Sequence, residues 1–505
     1  MRVYILLLLA FVTLPASAQV RNDINPIWLK NSVQLTPLEP IHISLPVSSG
    51  ERILAIDATL PTRIQNAMNA LYAATKPHRK HGVSASVIVP GLAQWSGSVG
   101  ESHEGVPMHD SLLFEIASNT KTFTTALILQ LVDAGMLSLS DPIKKFIGPY
   151  PNVDSNATIE QLLNHSSGIY DYLNDDLSNA VLNETYIINP TKKMSPDTIL
   201  FKYVGGKNFN AGTSYKYCNT GFLLLGLIAE KITGKSYGHL IHQRFITPLG
   251  LHNTFIGWED TIKGTFAHNW LGSDTVDLAL DIEFVEKTGQ LSMAHAAGGI
   301  VSRPSELVRW VHWLYGADAV SPALRAKMTE YHVWPDGGRY GLGTAVVPFN
   351  MHGQRDLYGH NGGLPGFSSM MYTMPTDSIS FVMYMNADQG PGDIFLNDYA
   401  IALLSEIYKP AASVSRDDAF TSSVIVVPNP VSTTATILYE LPDESSVTIS
   451  LVNTLGEEVM SISSSHHTIG KQFETLDLTK LPIGPYYYRI KAGSNFTSGL
   501  IQVVR

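Results

Sequence analysis

The sequence predicts an α/β (α+β) fold, with strands and helices mixed over most of the chain, followed by a small all-β sandwich. Three observations predict it. Val83 to Val89 alternates like a strand with Gln94 to Val99 as its hairpin partner, and the stretches around Tyr340–Val347, Leu357–Tyr372 and Ile379–Met385 add a late run of adjacent antiparallel strands. Apolar residues recur at helical spacing in Ile64, Met68 and Leu71. They crowd more than one face after Ser118, and again in Phe222–Glu230, with a further helix expected from Pro304 to Tyr315. Near Ala411 the character changes to a Ser/Ala-rich stretch and then to short strands.

Bulk properties bound the reading. The chain has 505 residues, enough for two or three domains. With 44% hydrophobic and 15% charged residues it is globular in composition, and at a net charge of −10 with no basic block it is no nucleic-acid binder. The single cysteine, Cys218, excludes an intramolecular disulfide and a Cys-based zinc site.

From the start of the chain, Arg2, the apolar run Tyr4–Leu14 and the small residues Ala16-Ser17-Ala18 read as a signal peptide over 1–18, too short to span a bilayer comfortably. Residues 19–52 read as an extended lead-in, 53–410 as the main domain, 411–424 as a linker and 425–505 as a second domain. No membrane span is expected in the mature protein, and a monomer is the expected state.

Chemistry concentrates in three clusters. In Phe114–Phe123, Ser118 and Lys121 stand three apart at the head of an apolar helix, so one turn brings a hydroxyl beside an amine. By itself that spacing reads as an N-cap serine with a solvated lysine one turn on. The second cluster is a small-residue loop, Ala211–Gly221, in which Tyr217 and Asn219 flank one residue and would point the same way if extended. The third is Leu357–Phe367, where His360 precedes Gly362 and Gly363, glycines that let a ligand approach the backbone. His165, in Asn164-His165-Ser166-Ser167-Gly168, reads as a structural histidine that bonds backbone groups. Gly234-Lys235-Ser236-Tyr237-Gly238 matches a nucleophile-elbow pattern, but a helix rather than a strand precedes it, so Ser236 reads as a surface turn serine.

The order Ser-x-x-Lys, Tyr-x-Asn, His-x-Gly resembles the penicillin-recognising serine hydrolases, above all the branch of class C β-lactamases, D-Ala-D-Ala carboxypeptidases, D-aminopeptidases and related esterases. The resemblance spans roughly residues 55 to 408 and includes Leu162–Gly168, Pro248–Leu251 and Gly298–Ser302. It implies a β-lactamase/transpeptidase-like antiparallel sheet with helices plus an all-helical subdomain, the site lying between them. It further implies Ser118 as acylated nucleophile, Lys121 and Tyr217 as proton carriers, and Asn219 bonding the substrate's amide. His360 would sit on the sheet edge beside Gly362, and the N–H groups of Ser118 and Gly363 would form an oxyanion hole. No metal or cofactor is required, and the partner is a small-molecule or peptide substrate: an amide, ester or β-lactam. The alternative is a non-catalytic pocket protein that binds a peptide or cell-wall ligand. Two departures stand out. A neutral His360 replaces the usual lysine of the third motif, which leans away from strong β-lactamase activity. Cys218 stands where serine is frequent, and a thiol there predicts sensitivity to thiol reagents.

The tail, from Pro428-Asn429-Pro430 through Leu455–Val459, Leu476–Leu478 and Gly484–Arg489, is similar to the C-terminal sorting domain of type IX secretion cargo. That implies the type IX machinery as partner and a secreted or cell-surface location. His466-His467 in it reads as a solvated loop.

Overall fold

The computed structural model describes residues 59–504 apart from 75–80, 91, 104, 274–275, 282–286, 317–318, 334–337, 350–354, 388–395, 410–423, 428, 430, 442, 454–457 and 494. The expected leader at 1–18, the lead-in at 19–52 and most of the linker at 411–424 lie outside the described residues.

An antiparallel sheet forms the centre of the main body. Its principal strands are β1 (Gly82–Val89), β2 (Leu92–His103), β3 (Ala345–Phe349), β4 (Arg355–Leu364), β5 (Phe367–Met374) and β6 (Ile379–Met385). They lie in the order β2-β1-β6-β5-β4-β3, with Val106–Pro107 outside β2 and Arg339–Tyr340 then His332–Val333 outside β3. The helices that matter for the site are α1 (Leu60–Ala74), α2 (Thr120–Asp133), α3 (Asn219–Thr233), α4 (Thr288–Gly298), α5 (Pro304–Gly316) and α6 (Leu396–Tyr408).

Every position of β5 and β6 is buried, which explains why their sequences carry no alternation: both faces are covered. On one face Leu60, Ile64 and Met68 of α1 pack with Phe381 and Met383 of the sheet and Leu403 of α6. On the other, Met371, Val382 and Tyr384 join Val308 and Val311 of α5 in a core that continues into the helices. Within that core α2 is buried almost all round, and the Phe123 ring stacks on Trp310 at 3.9 Å.

The expected strand Tyr340–Val347 is two strands. Gly341 N–H donates to the Thr344 carbonyl at 2.9 Å, closing a turn in which Gly343 takes φ 57°. A Cβ at Gly343 would lie 1.8 Å from Thr125 Oγ1, so helix α2 dictates glycine there. The tail forms two antiparallel sheets, of three and four strands, whose inner residues Ile437, Tyr439, Ile449 and Leu451 share a core, as a β-sandwich does. His466 and His467 end the strand Glu458–His467 rather than forming a loop.

The sheet meets the Ser118 segment at one edge. β3 pairs with β4 only as far as Gly359, so residues 360–364 of β4 have β5 on one side and, among the described residues, no strand on the other. The turn Ala117–Asn119 packs there, and a Cβ on Gly362 would lie 2.4 Å from the Ile116 carbonyl oxygen and 2.3 Å from Ser369 Oγ. Gly362→Ala is therefore expected to cost about 1–3 kcal/mol by overpacking, read as a lower midpoint in thermal or denaturant unfolding.

Candidate active site

Ser118 lies in a 3₁₀ turn, Ala117–Asn119, immediately before α2. Ala117 is held at φ 47°, an uncommon conformation for a residue with a side chain, and it presents Ser118 at the floor of the cleft. One turn on, Lys121 is fully buried. Its Nζ lies 3.1 Å from Ser118 Oγ, 2.6 Å from Asn219 Oδ1 and 2.8 Å from the Ala297 carbonyl oxygen. In the neutral amine two N–H bonds serve the two carbonyl-type oxygens, and the lone pair is left facing the serine hydroxyl.

The orientation of Asn219 follows from its partners. Its oxygen faces an amine, which only donates, and its Nδ2 faces the Asp171 carboxylate at 3.0 Å. The sequence reading gives this amide to the substrate. The structure uses both its ends internally, although Asn219 also lines the cleft. Asn219 is not on an extended loop either: it is the first residue of α3, and Cys218 before it is extended.

Asp171 was not foreseen from the sequence. It is fully buried and also accepts from Leu173 N–H at 3.0 Å and Asn174 Nδ2 at 2.6 Å. Ser118, Lys121, Asn219 and Asp171 thus form one hydrogen-bonded chain. Burial lowers the Lys121 pKa to about 7, against the opposing pull of the Asp171 charge. Burial raises the Asp171 pKa, and its hydrogen bonds and Lys121 hold it down.

The Ala297 carbonyl is available because α4 breaks at His295, which sits at φ 43°, ψ −138° with its ring stacked 4.4 Å from Trp258. The break leaves the carbonyls of Ala296 and Ala297 without helical partners and turns them to Thr124 and Lys121. The Ala296-Ala297-Gly298-Gly299 stretch is this kinked helix end and its cap.

Tyr217 completes the group. Its ring lies 4.8 Å from Lys121 Nζ and 6.1 Å from the His360 ring. Its phenol is buried facing the Ser118 hydroxyl, outside ordinary hydrogen-bond geometry. Burial holds its pKa well above 10, so the phenol keeps its proton. His165 does what the sequence reading assigns: its Nδ1 accepts the Cys218 backbone N–H at 3.1 Å, and its ring lies 4.3 Å from that of Tyr217. Burial, with Lys121 and His360, keeps it neutral.

His360 stands on β4 where pairing with β3 stops. Its Nδ1 lies 2.5 Å from the Asn361 carbonyl oxygen and so carries the proton; its Nε2, 2.9 Å from Tyr340 Oη, accepts from that phenol. Burial, then Lys121, depress its pKa to about 3. Gly363 lines the cleft, and a Cβ there would meet nothing within 4 Å. Among the described residues no cluster of His, Cys, Asp or Glu could hold a metal. Ser236 is the N-cap of a short helix and donates to Glu259 at 2.7 Å, the turn role expected of it.

Comparison with known proteins follows the same lines. Residues 66–406 match the Beta-lactamase family model. The chain belongs to the beta-lactamase family. Residues 425–503 match the secretion system C-terminal sorting domain. Penicillin-binding protein 4* of Bacillus subtilis is 28% identical over 55% of this chain and 62% of its own length, so the match leaves more than a third of that relative uncovered. Penicillin-binding protein 4 of Amycolatopsis lactamdurans is 26% identical over 65% of this chain and 86% of its own. Among solved structures, D-amino acid amidase from Ochrobactrum anthropi SV3 superposes with a TM-score of 0.59 at 25% identity, covering 69% of this chain and 99% of that one. The matched residues include Cys218. That thiol is 2% exposed, its pKa pushed up by burial, and Sγ donates to the Ile169 carbonyl at 3.3 Å. The expected sensitivity to thiol reagents is therefore corrected: iodoacetamide should leave turnover of the native protein unchanged, with Cys218 unmodified by mass spectrometry.

An amine can take a proton only when neutral, so with Lys121 as the base kcat/KM should rise with pH to a plateau above about 7 and fall about tenfold from that plateau at pH 6. Because the Asp171 charge raises the Lys121 pKa, Asp171→Asn should move this acid limb to lower pH in the same assay.

Proposed function

We propose that this chain is an exported serine hydrolase that cleaves an amide or ester through an acyl-enzyme on Ser118. The observation that carries the reading is the buried Lys121 amine, 3.1 Å from Ser118 Oγ, with its pKa lowered to about 7. Neutral Lys121 takes the serine proton as Oγ adds to the substrate carbonyl. Tyr217, which holds its proton, gives it to the departing nitrogen or oxygen and is recharged from Lys121. The N–H groups of Ser118 and Gly363 receive the oxyanion, and water releases the acid by the reverse sequence. Asn219 and Asp171 keep the amine in place. Names among the relatives, penicillin-binding protein and D-amino acid amidase, support amide or ester chemistry.

Residues 53–410 would be the catalytic domain, acting as a monomer, and 425–505 the segment read by type IX export. Passage beyond the outer membrane would separate the enzyme from its own cell wall, which favours extracellular amides, esters or β-lactams over peptidoglycan carboxypeptidase work. Ser118→Ala should lose labelling by a fluorophosphonate and at least about a thousandfold in kcat/KM on a p-nitrophenyl ester. Equal rates in wild type and variant would remove the serine assignment.

A further inference from the structure

The cleft at Ser118 is nearly uncharged. It is open to solvent, and its described walls are Leu173, Leu182, Leu364, Pro365 and the small residues at the end of α4. Ser118 and Asn219 supply its polar side chains, and no charged side chain is among its described lining residues.

Among the described residues, three groups that could bind a charged substrate are committed elsewhere. His360 gives one nitrogen to Asn361 and the other to Tyr340. Lys287 lies over the Phe367 ring at 5.6 Å, but its amine pairs with the buried Glu115 carboxylate at 3.1 Å. The Asp171 carboxylate, of the charge that attracts an ammonium, is occupied by Asn219, Asn174 and Leu173 behind the cleft. A carboxylate or ammonium entering here loses its water and meets no ion of opposite sign among the described lining residues.

We propose that the substrate is an uncharged ester or amide with an apolar acyl group, carrying neither a carboxylate on the leaving group nor a free α-ammonium on the acyl side. This rests on the acyl-enzyme reading of Ser118. In the reaction Oγ bonds the acyl carbon, the bond to the leaving group breaks, and the leaving group departs with the Tyr217 proton, which Lys121 replaces with the one it took from the serine. Water then takes the acyl group and restores the hydroxyl. The leucine walls hold the acyl chain through apolar burial.

Three aryl esters test this. One joins butyrate to a phenol bearing a meta-carboxamide; the second replaces the carboxamide by a carboxylate; the third keeps the carboxamide and adds an α-ammonium to the butyrate, as each enantiomer. Rates are divided by the uncatalysed rate of each ester, and Ser118→Ala is run alongside. The expected result is a kcat/KM for the uncharged ester at least about tenfold above each charged one, since an unpaired charge pays more than the 1.4 kcal/mol that a tenfold difference represents. A charged ester turned over as fast as the uncharged one, with Ser118→Ala inactive on both, overturns the substrate class and leaves the serine mechanism standing. Turnover of all three by Ser118→Ala at the wild-type rate, or of none by wild type, overturns the serine reading itself.

Discussion

A single buried amine organises this molecule. Lys121 sits without solvent exposure in a core of leucines and aromatics, where an unpaired ammonium would be costly. Three oxygens, from Ser118, Asn219 and Ala297, surround Nζ, and the Asp171 carboxylate stands behind the second of them. Burial pulls the amine towards neutrality while Asp171 pulls it back, and the balance near 7 leaves a lone pair aimed at a hydroxyl. Those partners come from four separate stretches of chain: the turn before α2, the start of α3, the loop at Asp171 and the broken end of α4.

The surroundings are shaped by the same requirement. The break at His295 frees a carbonyl for the amine, and the turn Ala117–Asn119 is pressed against Gly362, where no side chain would fit. Aromatic rings fill the rest. Tyr217 and Phe222 lie 4.8 and 5.3 Å from Nζ, and His165 and Tyr340 pack against one another at 4.6 Å. The imidazoles of this cluster remain neutral because a second cation beside Lys121 would be repelled as well as desolvated. Most polar groups here bond one another inside the protein, and beside Ser118 and Asn219 the described cleft lining is leucine, alanine, glycine and proline.

Much of this is legible in the residues. Ser118 and Lys121 are local neighbours on a helical turn, so their spacing alone predicts their contact. The strand alternation of β1 and β2 and the apolar cylinder of α2 follow from the same short-range rules. The elements that differ are those whose conformation is imposed from outside. Tyr340–Val347 reads as a continuous strand, yet Thr125 leaves room only for glycine at 343 and forces a turn. Asn219 reads as part of a loop, yet it opens α3 beside a cysteine anchored by His165.

The sequence by itself determined the classes of element, the Ser-Lys pair and the small β module, because each depends on residues close together along the chain. Tertiary structure alone decided that Asp171 backs Asn219, that Tyr340 occupies His360, that α4 breaks to release Ala297, and that Cys218 is sealed away. Each of these depends on which distant group supplies a hydrogen-bond partner, or on how much water is excluded, and neither quantity is encoded in local spacing.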